Sequence, residues 1–286
     1  MIFDYYGIEL SEKEKQWFAG DGKELKGSIL KGDKRGDAVV QLVAHKDRQV
    51  IGETFFNGAK KSEVKALRVL LKSEKVAAQK LSMDALHFKP KTLRPIAKAG
   101  GIFLVNLKRN QKILYAQMVD DLADKPALYE RRDEQKKGHG RLENRYYKCY
   151  DIHSKVVDER WLDMNFQTLI VVERKRKIVN AGKKGCETCY FLSNMKTENV
   201  QTAHELFDAV RSHWQVEVSN NRRDCTLRED KMRCTDTRTA RTFASCRTLT
   251  VKLLQKNEMK NKCALMDDFA DDFDQCIQWL KKINFL

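Results

Sequence analysis

Between about residues 15 and 56 the apolar residues come in short runs separated by polar turns. Trp17 to Leu25 forms the first run and ends in a Gly-Asp-Gly-Lys turn. Ala38 to Ala44 is apolar and rich in β-branched residues, and Gln49 to Phe56 follows after the turn His45-Lys46-Asp47-Arg48. Such runs, with turn residues between them, predict an antiparallel meander. The period then changes. Val64, Leu67, Leu70 and Leu71 fall at helical spacing, with Ser62 as the expected N-cap. Val76 to Leu86 reads as a strand ending near Asp84. Residues 91–99 read as a helix stopped by Gly100-Gly101, Ile102 to Leu107 as a short buried strand, and Lys112 to Leu122 as another helix. Antiparallel strands followed by helix-strand units imply an α/β fold, a mixed sheet flanked by helices.

From about 127 to 197 the chain is strand-like and very basic, with runs at Arg141 to Tyr150, Thr168 to Val179 and Thr188 to Met195. No linker flanks this stretch, so it reads as a β-rich insertion rather than an independent domain. From Thr202 onward the pattern is helical, and Ala203, Leu206, Phe207, Val210 and Trp214 make an apolar stripe. The expected organisation is an N-terminal linker (1–14), a first part of the core (15–126), the basic insertion (127–197) and C-terminal helices (198–286).

Charge narrows the function. Across 286 residues the net charge is +15, and only 3 Pro and 14 Gly argue against a low-complexity chain. Such a surface attracts polyanions, because binding releases the phosphates' condensed counterions. No apolar run approaches the roughly 18 residues of a membrane span, and the N-terminus lacks the pattern of a signal peptide. A cytoplasmic location with reduced cysteines is expected. Cys186 and Cys189 form a lone C-x-x-C; no second pair completes a zinc site.

If the polyanion is a nucleic acid to be cut, the chain needs an activated water. Mg²⁺ prefers carboxylates and water, so acids from separate elements are the groups to seek. Asp21 closes the first strand between Gly20 and Gly22, which leave the backbone open to a phosphate, with Lys23 a nearby cation. An ordinary turn aspartate fits the same residues. Asp84 directly follows a buried strand, where open α/β sheets place their sites; a strand-terminating aspartate is the alternative. Glu217 extends the apolar stripe three residues after Trp214. A charge on a packing face is costly unless paired or metal-bound. His213, one turn earlier, could orient it. Glu229 is the rival third acid. The aspartates at 267, 268, 271, 272 and 274 read as an acidic helix face.

Several segments, in order, resemble the DDE transposases of bacterial insertion sequences, in the branch of the H-repeat-associated proteins of Rhs elements. They are GDGKELKGS (20–28), SMDAL (82–86), LVNLKRNQKILY (104–115), GHGRLENR (138–145), VERKRKI (172–178), ETCYFLSNM (187–195), HWQVE (213–217) and REDKMR (228–233). The resemblance covers about residues 15–282. It implies an RNase H-like fold with a β-rich insertion before the last catalytic helix. It implies Asp21, Asp84 and Glu217 as catalytic, metal-holding acids, with His213 and Trp214 in support. Two Mg²⁺ (or Mn²⁺) ions are the implied cofactor. The implied activity is hydrolysis of DNA at transposon ends, then attack of the freed 3′-hydroxyl on target DNA. DNA ends and target are the implied partners, with a homodimer on DNA in a bacterial, nucleoid-associated setting and no membrane.

Three features depart from the family pattern. About twenty residues precede the first acid where relatives carry a helical domain, so the chain reads as truncated or late-starting. The segment after Glu217 is Val-Ser-Asn-Asn-Arg-Arg, and Gly20 stands where an apolar residue is usual. A catalytically inactive DNA-binding remnant and a nuclease of the same fold therefore stand as alternatives.

The basic segments 131–148 and 172–184 interleave Lys and Arg with Tyr146 and Tyr147, which suits phosphates and exposed bases. Strand alternation puts Arg141, Glu143 and Arg145 on one face. The expected DNA-binding set is Lys23, Lys108, Asn110, Gln111, His139, Arg141, Arg145 and Arg174.

Overall fold

The computed structural model of the protein describes residues 10–11, 13–57, 60–122, 125–138, 141–152, 156–178 and 184–283; the side chains of 60–61, 134–138 and 141 lie outside that description. Two compact units emerge, one drawn from Ala19–Leu70 and Trp214–Leu286, the other from Leu10–Phe18 and Leu71–His213.

The first unit begins with β1 (Trp17–Glu24), whose opening two residues belong to the second unit. β2 (Ala38–Ala44) and β3 (Val50–Phe56) follow, paired antiparallel with a bulge between Leu42 and Val43. Every residue of β2 is buried. The β2–β3 hairpin is the one the apolar runs predict. α1 (Lys60–Leu70) packs on β2 and β3. Ser62 lies inside its first turn instead of capping it, because Lys60 and Lys61, good helix formers, extend the helix backwards.

Helices after residue 214 also belong to this unit. α6 (Gln215–Cys225) docks through Val216 on Ala19, Val43 and Val50. α7 (Thr237–Gln255) docks through Ala244 on Leu25 and Val39. Buried Glu53 fixes α7 further, accepting from Gln41 Nε2 (2.9 Å), Ser245 Oγ (2.5 Å) and Thr248 Oγ1 (3.1 Å). A buried carboxylate is tolerable only when donors surround it in this way. α8 (Lys262–Asp271) closes on Leu254 through Leu265 and Phe269, and α9 (Phe273–Lys282) packs Trp279 on Phe269.

In the second unit, α2 (Glu74–Ala77) takes the start of the segment read from sequence as one strand; only Lys80–Met83, β4, is extended. Small Ala77 and Ala78 favour the helical turn, and the Ala77 carbonyl lies where a Cβ on Gly101 would be 1.9 Å away. α3 (Pro90–Lys98) ends at Gly100, whose φ of +69° is the left-handed conformation glycine adopts freely. β5 (Ile102–Leu107) runs parallel to β4, and α4 (Lys112–Asp120) follows. β6 (Tyr129–Gly138), β7 (Arg141–Asp151), β8 (Thr168–Ile178) and β9 (Lys184–Ser193) form an antiparallel meander, and β9 pairs antiparallel with β5. α5 (Val200–Ser212) lays Ala203, Leu206 and Phe207 on Tyr147, Cys149, Ile170 and Val172.

In the first unit the strand order is β3-β2-β1, and in the second it is β4-β5-β9-β8-β7-β6. Mixed sheet strands with helices are consistent with the RNase H-like arrangement expected for the chain.

Gly27 tests how tightly the first unit is packed. A Cβ there would lie 1.7 Å from the Met232 carbonyl oxygen, whereas nothing lies within 4 Å of one at Gly185. Gly27→Ala should lower stability by about 1–3 kcal/mol, and Gly185→Ala by less than about 0.5 kcal/mol. Urea unfolding of the two variants checks this.

Candidate functional site

Asp21 does not close its strand. It sits in the middle of β1, which continues to Glu24. Alternation puts it on the face that carries Ala19 and Lys23. Ala19 meets Val216 of α6, and Lys23 Nζ lies 2.7 Å from Asp224 of the same helix. The first acid is therefore on the face of β1 that α6 covers, and Glu217 stands in the first turn of α6.

Glu217 reaches that place by a different route from the stripe. α5 ends at Ser212 and α6 starts afresh at Gln215, so the helical phase resets between them. Val216, Ser219 and Arg223 are buried instead, while Glu217 and Trp214 are exposed. The expectation of a charge on a packing face fails for that reason. Desolvation by neighbouring protein still holds the Glu217 carboxyl above the usual carboxylate range.

On its Gly22 side, Asp21 is not flanked by an open phosphate seat. A Cβ on Gly22 would lie 2.6 Å from Glu63 Cδ, so an acidic side chain occupies that flank. Lys23 is no free cation either. It is 7% exposed and is surrounded by Asp224, Asp230 (3.2 Å) and Glu229 (3.5 Å). A buried ammonium needs these carboxylates, which removes it from the DNA-binding set. Glu229, the rival acid, is buried against Arg223 at 2.6 Å. The aspartates of α8 and α9 are exposed, and Asp272 caps α9 through Gln275.

Asp84 lies in the second unit, directly after β4 as expected. Its Oδ1 accepts from the Leu86 N–H at 2.9 Å. The turn it opens is held from the far side. Asn110 Nδ2 donates to the Ala85 carbonyl (3.0 Å), and Gln111 Nε2 donates to the Phe88 carbonyl (2.9 Å). Gln111 is buried, and its Oε1 accepts from Arg160 at 3.3 Å. Phe88 packs on Trp161 with ring centroids 4.6 Å apart. Asn110 and Gln111 thus grip the loop of Asp84, and buried Gln111 cannot contact DNA. Lys108 is exposed just after β5.

His213 is hydrogen-bonded to the chain. Its Nδ1 is 2.9 Å from the hydroxyl of Ser82, on β4 two residues before Asp84. Burial pushes its pKa down to about 4, against the opposing field of Asp84. The ring is neutral near pH 7, which leaves the charge of Asp84 available to a cation. Ser82 was legible in principle, since strand alternation puts it on the same face as Asp84.

On the β6–β9 sheet, Tyr147 is fully buried under Phe207 and cannot stack on a base. Glu143 and Arg145 share a face as alternation predicts, and they pair at 2.6 Å. Glu143 also takes Arg176 at 2.8 Å, and Arg174 pairs with Glu187 at 2.5 Å. Burial raises the Glu143 pKa, but the hydrogen bonds of Arg145 and Arg176 outweigh it and the carboxyl sits below its usual range. Arg145 and Arg174 are thus neutralised within the sheet and offer little to phosphates. Arg141 is placed by its backbone, opposite Ile178; its side chain and all of His139 lie outside the described residues.

The donor set suits a hard divalent ion by type, since Asp21, Asp84 and Glu217 all offer carboxylate oxygens. Among the described residues, no three His, Cys, Asp or Glu side chains are gathered into a ready-made metal cluster. Among them, too, no helix is long and apolar enough to cross a membrane.

Over residues 13–251 the chain matches the family described as Transposase DDE domain. It is similar to "Putative protein YbfL" of Escherichia coli (strain K12), 26% identical over 256 residues covering 87% of this chain and 66% of that protein. It is likewise similar to "H repeat-associated putative transposase YhhI" of the same organism, 25% identical with the same coverage. The chain thus spans just under two thirds of the length of these relatives. The family match runs from before the strand of Asp21, through the turn of Asp84 and the helix of Glu217, into α7, and the chain belongs to the Transposase DDE domain family.

Proposed function

We propose that this chain is the catalytic part of a transposase that hydrolyses DNA at transposon ends and transfers the freed 3′-hydroxyl into target DNA. Asp21, Asp84 and Glu217 are the acids that act together. The observation that carries the reading is the turn after β4. A carboxylate hydrogen-bonded to its own backbone, in a loop tied by two amide side chains, is pre-organised for work on a ligand. A surface aspartate that merely ended a strand would not need that grip.

In hydrolysis, a water oxygen bonds to phosphorus, the bond from phosphorus to the 3′-oxygen breaks, and that oxygen takes up a proton. In transfer, the freed 3′-oxygen attacks a target phosphorus and displaces a target 3′-oxygen, so bonds and charges balance. Asp21, Asp84 and Glu217 would hold Mg²⁺ or Mn²⁺, which when bound activates the attacking oxygen and stabilises the leaving one. The chain's own part is to present carboxylates in fixed orientations. The Leu86 N–H sets the rotation of Asp84, and neutral His213, anchored on Ser82, adds no competing positive charge beside it. Glu217, raised by desolvation, is favoured in its charged form by a neighbouring cation. DNA ends and target are the partners of this reading, and pairing two ends would call for a second copy of the chain.

The intact chain should nick a labelled duplex in the presence of Mn²⁺, and Asp84→Asn should abolish the nick. Joining of the cut strand to a second duplex separates a transposase from a nuclease. Salt-sensitive DNA binding without any nick would leave a DNA-binding remnant as the better reading.

The grip on the Asp84 turn gives a second test. Asn110→Ala and Gln111→Leu should each lower Mn²⁺-dependent nicking by about 10–100-fold, the usual cost of removing a group that orients a metal ligand. Comparing nicking rates with DNA affinity checks this. If affinity falls and the rate at saturating DNA does not, the grip on the turn serves DNA binding and not the placement of Asp84.

A further inference from the structure

The four strands β6 to β9 have two faces, and α5 decides which is which. Tyr147, Cys149, Ile170 and Val172 point toward α5. By alternation, so do Glu143 and Arg145 on β7 and Arg174 and Arg176 on β8. The register sets Arg131 of β6 opposite Tyr147 and Glu187 of β9 opposite Arg174. On this inner face the cations have partners. Arg131 pairs with Asp208 (2.8 Å) and Asp133 (3.3 Å), and Arg211 of α5 also pairs with Asp133. Arg145, Arg174 and Arg176 are held by Glu143 and Glu187.

The outer face is different. It carries Glu130, Arg132, Tyr146, Lys148, Glu173, Lys175, Lys177 and Lys184, in registers that set Glu130 opposite Lys148, Arg132 opposite Tyr146, Tyr146 opposite Glu173 and Lys177 opposite Lys184. Lys148 uses Glu173 at 3.2 Å. Arg132, Lys175, Lys177 and Lys184 are exposed, and among the described residues no carboxylate forms an ion pair with them. Tyr146 orders two of these cations. The Arg132 guanidinium is 5.1 Å from its ring centre, and Lys175 Nζ is 5.3 Å away. Cation–π attraction holds both groups over one ring without using up their N–H donors. Exposed cations without ion-pair partners, two of them ordered by one ring, on a single sheet face suit a polyanion backbone, which gains from counterion release at each contact.

We infer that this outer face, through Arg132, Lys175, Lys177 and Lys184, binds the DNA phosphate backbone, and that the inner-face arginines do not. The inference rests on the transposase reading above and assigns the sheet face that reading leaves open. The contacts are to phosphates, so they position the DNA and carry no sequence information.

The test is equilibrium binding of a labelled mixed-sequence duplex to the full chain in EDTA, across salt from about 50 to 200 mM. Lys175→Ala with Lys177→Ala should weaken binding on the order of tenfold and flatten the log–log salt slope by about 1.8, roughly 0.9 for each lost phosphate contact. Lys175→Arg with Lys177→Arg should keep the wild-type slope, which a fold defect would not predict. Glu143→Gln with Arg176→Gln, on the inner face, should also leave the slope unchanged. A flattened slope in that inner-face variant, with the lysine-to-alanine variant unchanged, would overturn the assignment while sparing the transposase reading. If the unaltered chain shows no salt-dependent DNA binding at all, both fall together.

Discussion

The arrangement of the second unit depends on the burial of α5 against β7 and β8. Strand side chains alternate with a period of two, so a slip of one residue would exchange the two faces completely. Phe207 on Tyr147, with Leu206 and Ala203 beside it, forbids that slip because it would put apolar surface into water. The same contact therefore sorts the charges. Arginines two and four residues beyond the core positions fall beneath or beside α5, where they need carboxylates. Lysines at the odd positions of β8 face away and need none. A packing constraint at one end of the strands sets the electrostatics at the other.

A similar logic governs the first unit. Lys23, Asp224, Glu229, Asp230 and Arg223 form a chain of charges between β1 and the segment from α6 to residue 230. Arg223 and Glu229 are both almost fully buried. Burying such a pair costs desolvation that the mutual attraction only roughly offsets, so its worth lies more in specificity than in net stability. The ion pairs of Lys23 with Asp224, Glu229 and Asp230 tie β1 to α6 and the segment after it. That arrangement also sets the strand of Asp21 against the helix of Glu217, so the cluster serves the candidate site without joining it.

These two devices explain what could and could not be read from the chain. β2 and β5 were legible to the residue, because their apolar runs are bounded by turn residues. Asp84 was legible as the residue after a buried strand, and α3 as a helix stopped by Gly100. Glu217 was reached by motif resemblance, while the physical reason offered for it was wrong. A break at His213 and Trp214 resets the helical phase, and periodicity cannot foresee a reset. Lys23, Gln111, Arg145 and Arg174 looked like DNA-binding residues because a sequence shows charge and polarity but not partners. Their partners lie between 2 and 207 residues away along the chain. Net charge was informative about the whole and silent about which cations remain free.

The division between gripping and acting residues follows from the same point. Asn110 and Gln111 share a motif stretch with Lys108, yet the first two face back to the Asp84 turn and Lys108 faces solvent. An amide side chain can donate to a backbone carbonyl and still present its oxygen elsewhere, as Gln111 does to Arg160. That suits it to bridge a turn to its surroundings, which a carboxylate, an acceptor only, could not do against carbonyls. The residue types of the stretch are therefore explained by what the turn requires: two donors for the Ala85 and Phe88 carbonyls, which would otherwise be left without partners beside a charged group. The loop is held by amides, which add no net charge of their own, so the negative charge of Asp84 is not cancelled by its support.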